Sequence, residues 1–120
     1  MSLLDDPMAA ALGRFLDFNV QRSELVMSNM ANVDTPGYRT RDVDFHQQLA
    51  QASSFALASL PPAVHLVQGL MERPDGNNVS LERESLLLAD TQMRFNLGVQ
   101  LLRDRFRTLM SAIHEGSASS

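Results

Sequence analysis

The sequence predicts an all-α protein: two long amphipathic terminal helices forming an antiparallel coiled-coil hairpin, with an irregular, partly disordered middle segment. Three observations predict it. Apolar residues recur in alternating steps of four and three through residues 8–33, and again from Ser80 onward. Between the two stretches that repeat disappears, and the break begins at the Thr35-Pro36 bond. With 120 residues the chain is one small domain. It divides into an N-terminal helix (1–34), a turn and extended segment (35–45), a variable, flexible excursion (46–76), a C-terminal helix (77–116) and a disordered tail (117–120).

The first helix carries its apolar seam on Leu12, Leu16, Val26, Met30 and Val33, with Asn19 and Ser23 interrupting it. At 1.5 Å per residue it is about 39 Å long. Asn19 and Ser23 are open to two readings, a wet patch or polar residues that set register against a partner. The helix stops before Pro36, because the residue ahead of a proline is pushed out of the α region. Thr35-Pro36-Gly37-Tyr38 has proline and glycine where a type II turn needs them. Asn29 and Asn32 precede that corner. They either cap a fraying end, or their amides join the Thr35 hydroxyl in bonding the turn or an adjoining helix. Arg41, Asp42, Val43, Asp44 and Phe45 continue as an extended segment, anchored by Tyr38, the only tyrosine.

Residues 46–73 are rich in Ala, Ser and Gln, with Pro61-Pro62 in their midst. A short helix fits residues 46–52, and the pattern from Val64 to Leu70 is ambiguous between strand and helix. Pro74-Asp75-Gly76-Asn77 is a turn. The second helix begins at Ser80, a good N-cap, with Glu82 and Glu84 at the positive end of its dipole. Its seam is Leu81, Ser85, Leu88, Gln92, Phe95, Val99, Leu102, Phe106, Leu109 and Ile113, ending at Gly116. A second stripe, Leu86, Met93, Leu97 and Leu101, faces away from the seam; Ala11, Phe18 and Leu25 form its counterpart on the first helix. Aligned apolar stripes mark a contact surface, and a hairpin with one inside and one outside suits a subunit packed between neighbours.

A net charge of −4 argues against nucleic acid or an anionic membrane as the main partner, and all ten basic residues are scattered arginines. There is no cysteine, and no apolar run approaches the roughly 20 residues of a membrane span. Asp5 and Asp6 stand where a secretory leader would carry Lys or Arg, so if the protein leaves the cytoplasm the expectation is that it does so without a cleaved leader. His46, His65 and His114 lie in separate segments with no second ligand at helical spacing. Asp42-Val43-Asp44 lacks the glycine and distant glutamate of a calcium loop, and meets solvent or a neighbouring subunit's arginine. No phosphate loop or nucleophile set is present. The expectation is no cofactor, no metal and no catalysis.

The string SNMANVDTPGYRTRDVDF resembles the N-terminal signature of flagellar axial proteins, the self-assembling subunits of bacterial rod and hook. Its Arg41-to-Phe45 tail is most similar to the rod branch. Gly76-Asn77-Asn78-Val79 resembles that family's entry into the C-terminal helix. The assembly motif implied by the resemblance is Asn29, Ala31, Asn32, Thr35, Pro36, Gly37, Tyr38, Arg41, Asp42, Asp44, Phe45, Gly76, Asn77 and Val79. Also implied is a structural subunit of the proximal rod, exported by the flagellar type III apparatus and assembled helically to transmit torque and form the export channel. Its implied partners are itself, the rod proteins FlgC, FlgF and FlgG, the adaptor FliE and the inner-membrane MS ring. The alternatives are another rod subunit such as FlgC, or a soluble coiled-coil adaptor or export chaperone.

Overall fold

Asp6 caps the first helix. In the computed structural model, which describes residues 5–47 and 63–118, its carboxylate accepts a bond from the Ala9 N–H at 2.9 Å and caps helix α1 (Pro7–Ala31). Pro7 sits at the first turn, where its missing N–H costs nothing. At the other end the Asn32 N–H reaches the carbonyls of Ser28 and Asn29, and its side-chain amide donates to Ser28 O at 2.8 Å. The helix stops short of Val33, the last residue of its expected span.

The corner follows. Tyr38 N donates to Thr35 O at 3.2 Å, and Gly37 has φ 76°, the positive value that the third position of a type II turn demands. Strand β1 (Arg41–Val43) leaves it and pairs antiparallel with β2 (Val64–Leu66), Asp42 standing opposite His65. This ribbon modifies the all-α expectation. Its three-residue strands are too short to show alternation, and their pairing joins segments distant in sequence. Residues 45–47 are helical, capped by the Asp44 carboxylate, which accepts from the His46 N–H at 2.9 Å. Of the flexible excursion expected at 46–76, residues 48–62, with the rest of its short helix, lie outside the described residues, while 63–76 carry β2 and the bonded turn at Arg73–Gly76.

Helix α2 (Leu81–Ala118) begins with the Ser80 hydroxyl accepting from Arg83 N at 3.2 Å. Its 38 residues make it about 57 Å long. It does not stop at Gly116, and the tail expected from residue 117 is helical through Ala118. One glycine costs a helix only about 1 kcal/mol, too little to end it where no proline follows.

The two helices run antiparallel: Asp6 meets Arg105, Phe15 and Leu16 meet Gly98, and Asn29 meets Glu84. Gly98 is the close approach. A Cβ there would lie 2.8 Å from the Leu16 side chain and 3.0 Å from the Phe15 ring. On α2 the inward face carries Glu84, Leu88, Thr91, Phe95, Gly98, Leu102, Arg105 and Leu109, again in steps of four and three. Leu88, Phe95, Leu102 and Leu109, four of the ten expected seam residues, therefore keep their place. The other six fall off this face: Ser85 and Gln92 are exposed, Val99 is half-buried, and Leu81, Phe106 and Ile113 are 48%, 40% and 51% exposed. Glu84, Thr91, Gly98 and Arg105 stand there instead, because the helices close where Gly98 has no side chain and where polar groups find partners. Phe106 and Ile113 also lie past the point where Asp6, just ahead of α1, meets Arg105.

On α1, Leu12, Leu16 and Met30 are half-buried, as is Val33 just beyond it, and Val26 and Asn19 are fully buried. Phe18, expected on the outward stripe, is buried beneath Phe45, whose ring lies 5.4 Å from it and 6.2 Å, edge to face, from Phe15. The extended segment folds back along α1 and covers that side. Ala11 is exposed and Leu25 half-buried.

Candidate functional site

The end of α1, the corner, β1 and the start of α2 meet in a polar joint. Asn29, fully buried, is its centre. Its amide nitrogen donates to Arg41 O at 2.8 Å and to Glu84 Oε2 at 3.0 Å. Its oxygen accepts from the Tyr38 hydroxyl at 3.0 Å and from Arg41 N at 3.2 Å. Asn29 thus bonds both backbone groups of Arg41, as a neighbouring strand would, and closes the outer edge of β1. Glu84 is fully buried too, its second oxygen taken by Arg83 at 2.7 Å.

Asn77 does the same for the second signature. Its amide donates to the carbonyls of Asn32 and Thr35, both at 2.9 Å, and its oxygen accepts from Val79 N and Arg73. Arg73 also donates to Val33 O at the end of α1. The Thr35 hydroxyl donates to Asn32 Oδ1 at 3.0 Å. Beside them Asn78 Oδ1 accepts from Thr40 N at 2.7 Å. Gly76 has φ 86°, and a Cβ on it would lie 3.3 Å from Gly37 Cα. Gly37 N donates to Asp75 O at 2.9 Å, so the two signatures meet backbone to backbone at their glycines. Asp42 completes the joint: Arg22 grips its carboxylate with two bonds of 3.1 Å, and Arg83 approaches the same group at 3.5 Å.

The residues expected to carry assembly therefore divide. Asn29, Asn32, Thr35, Gly37, Tyr38, Arg41, Asp42, Gly76, Asn77 and the buried Val79 come together in the joint. Phe45 packs on α1 and Asp44 caps the turn that Phe45 begins, while Ala31 and Pro36 face solvent. Leu86, Met93, Leu97 and Leu101 are 67%, 65%, 52% and 46% exposed, on the face of α2 opposite Glu84 and Thr91. Beside Leu101, Met8 and Leu12 of α1 extend the apolar strip across both helices.

Arg22, Thr40, Arg83 and the paired roles of Glu84, Asp6 and Arg105 escaped the sequence reading. A signal existed for some of them. Glu84, Thr91, Gly98 and Arg105 are spaced by seven, in phase with the leucine seam, but only geometry shows that their polar groups are satisfied.

Asp6 and Arg105 clasp the far end of the hairpin with bonds of 2.7 and 2.9 Å. Those bonds, helped by the Ala9 N–H and opposed by desolvation, hold the Asp6 carboxyl down from 3.8 to about 2. Between those values the unfolded chain binds more protons than the folded one, so the clasp stabilises fully above about pH 4 and fades toward pH 2. In urea melts, wild type should therefore exceed Asp6→Asn at neutral pH, and the gap should close between about pH 4 and 2. A gap that stays constant over that range would show that the ion pair contributes nothing.

Among the described residues no cluster of His, Asp or Glu is placed to hold a metal ion, and no helix is long and apolar enough to cross a membrane. The joint ties its polar groups to one another and to the backbone, and nothing in it indicates catalysis.

No protein-family model matches the chain. Curated relatives do. It is 31% identical to the flagellar basal body rod protein FlgB of Salmonella typhimurium, over 85% of this chain and 89% of that one. It is 31% identical to FlgB of Escherichia coli K12, over 93% and 99%. With FlgB of Cereibacter sphaeroides the identity is 34%, over 77% and 82%. With both signatures joined in one buried lock and likeness spanning most of each relative, the chain belongs to the flagellar basal body rod protein FlgB family.

Proposed function

We propose that the protein is a structural subunit of the flagellar basal-body rod, which packs through the apolar face of its helix pair against other rod subunits. The observation that carries this is an inverted distribution of polarity. Among the described residues the buried positions include Asn19, Asn29, Asn77, Asn78, Glu84 and Thr91, whereas Leu86, Met93, Leu97 and Leu101 stand in water. An isolated soluble protein gains by the opposite arrangement. A subunit whose apolar strip is covered by neighbours gains by this one, and a non-closing contact of that kind propagates as a helical filament.

In this reading the joint fixes the angle between helix pair and extended segment, so that every copy presents the same strip. Helical assembly of such copies transmits torque as a stiff scaffold and encloses the export channel. The partners are further copies of this chain and the other rod proteins FlgC, FlgF and FlgG, with FliE and the MS ring at the base. The chain reaches the rod through the flagellar type III apparatus, and its role is not enzymatic.

The test is Leu97→Glu, which puts a charge in the strip without touching the joint. The variant should keep its helicity, yet be missing from purified basal bodies and fail to restore swarming to a strain lacking the gene. Normal incorporation would overturn the assignment of that face.

A further inference from the structure

The chain has seven methionines and no cysteine, so thioethers are its only sulfur chemistry. Among the described residues five of them are more than half exposed: Met8, Met27, Met71, Met93 and Met110. Met8 borders the strip from α1, whereas Met93 alone of the five stands in the α2 row itself. It lies inside the outward strip, one turn from Leu97 and two from Leu86, at 65% exposure. An oxidant reaches its sulfur freely, and no buried group of the subunit depends on it. Met71, 91% exposed in the loop before the joint, provides a built-in comparison.

We propose that Met93 is a modification site at which peroxide oxidation switches the apolar strip off, keeping the oxidised subunit out of the assembly. The sulfur lone pair attacks one peroxide oxygen; an S–O bond forms, the O–O bond breaks, and the second oxygen leaves as water after proton transfer. Sulfur loses two electrons and hydrogen peroxide gains them. The product sulfoxide is polar, so the centre of the strip no longer favours burial. A thiol-dependent sulfoxide reductase reverses the step. Because Met93 makes no part of the joint or the seam, the fold is untouched. The inference rests on the strip being the packing surface, and the variants separate the two claims.

The experiment treats the full chain with hydrogen peroxide and follows peptide mass, helicity and self-association by sedimentation. Met93 and Met71 should each gain one oxygen with helicity unchanged. The concentration needed for association should rise by on the order of tenfold or more, the equivalent of losing one buried methionine contact. Met93→Leu should associate normally after peroxide, and Met93→Gln should associate poorly without it. If Met93→Leu loses association as wild type does, or if oxidised wild type associates normally while Met93→Gln does not, the switch is wrong. If Met93→Gln associates like wild type, or wild type stays monomeric at high concentration, the packing surface is wrong and the switch with it.

Discussion

Asn29→Ala is expected to lower the unfolding free energy by about 3–5 kcal/mol, a large share of what a small domain possesses. The change removes four hydrogen bonds from a fully buried site. Neutral bonds contribute about 1 kcal/mol each and the one to the Glu84 carboxylate more. The larger part comes from what remains. Glu84 keeps only Arg83, and both backbone groups of Arg41 lose their partner in a place water enters poorly. Urea melts of the purified chain measure it. A loss under about 1 kcal/mol would mean water replaces the amide freely and the joint is looser than its bond lengths indicate.

Valine at Gly37 or Gly76 should also damage the joint, and by unequal amounts. Both glycines hold positive φ, a region costing a β-branched residue about 1–2 kcal/mol. A Cβ at Gly37 meets nothing within 4 Å, so strain is the whole effect there. At Gly76 the added atoms press on Gly37 Cα, and crowding of backbone against backbone adds about 1–3 kcal/mol. Gly76→Val should therefore be the less stable variant in the same melts. Both should abolish swarming, since the angle of the extended segment is lost. Equal stabilities would remove the contact between the two signatures from the account, and normal swarming by Gly37→Val would contradict the role of the turn.

The two helices were legible because each keeps its period for many turns, and the corner because proline and glycine leave few alternatives. The exact face of α2 was not. In the expected seam Ser85 and Gln92 were as polar as the Glu84 and Thr91 that replace them, so hydrophobicity had little with which to choose. Gly98 decided the matter through close approach, and Arg105 through its pairing with Asp6 across the whole chain. The joint was half legible. Asn29, Asn77, Gly37 and Gly76 stood out by residue type and by resemblance, but their partners are mostly backbone N–H and carbonyl groups, which no side-chain pattern reveals. Phe18 shows the converse. Its spacing placed it outside, and the chain returning at Phe45 covered it.

The strip of Leu86, Met93, Leu97 and Leu101 is expected to be open in the free subunit and closed in the rod. Because the chain has no cysteine, Leu97→Cys installs a single thiol there, and its rate of labelling by a water-soluble maleimide reads the strip directly. The thiol should react rapidly in the free subunit and be protected in basal bodies purified from motile cells. Equal labelling in both states would contradict the account.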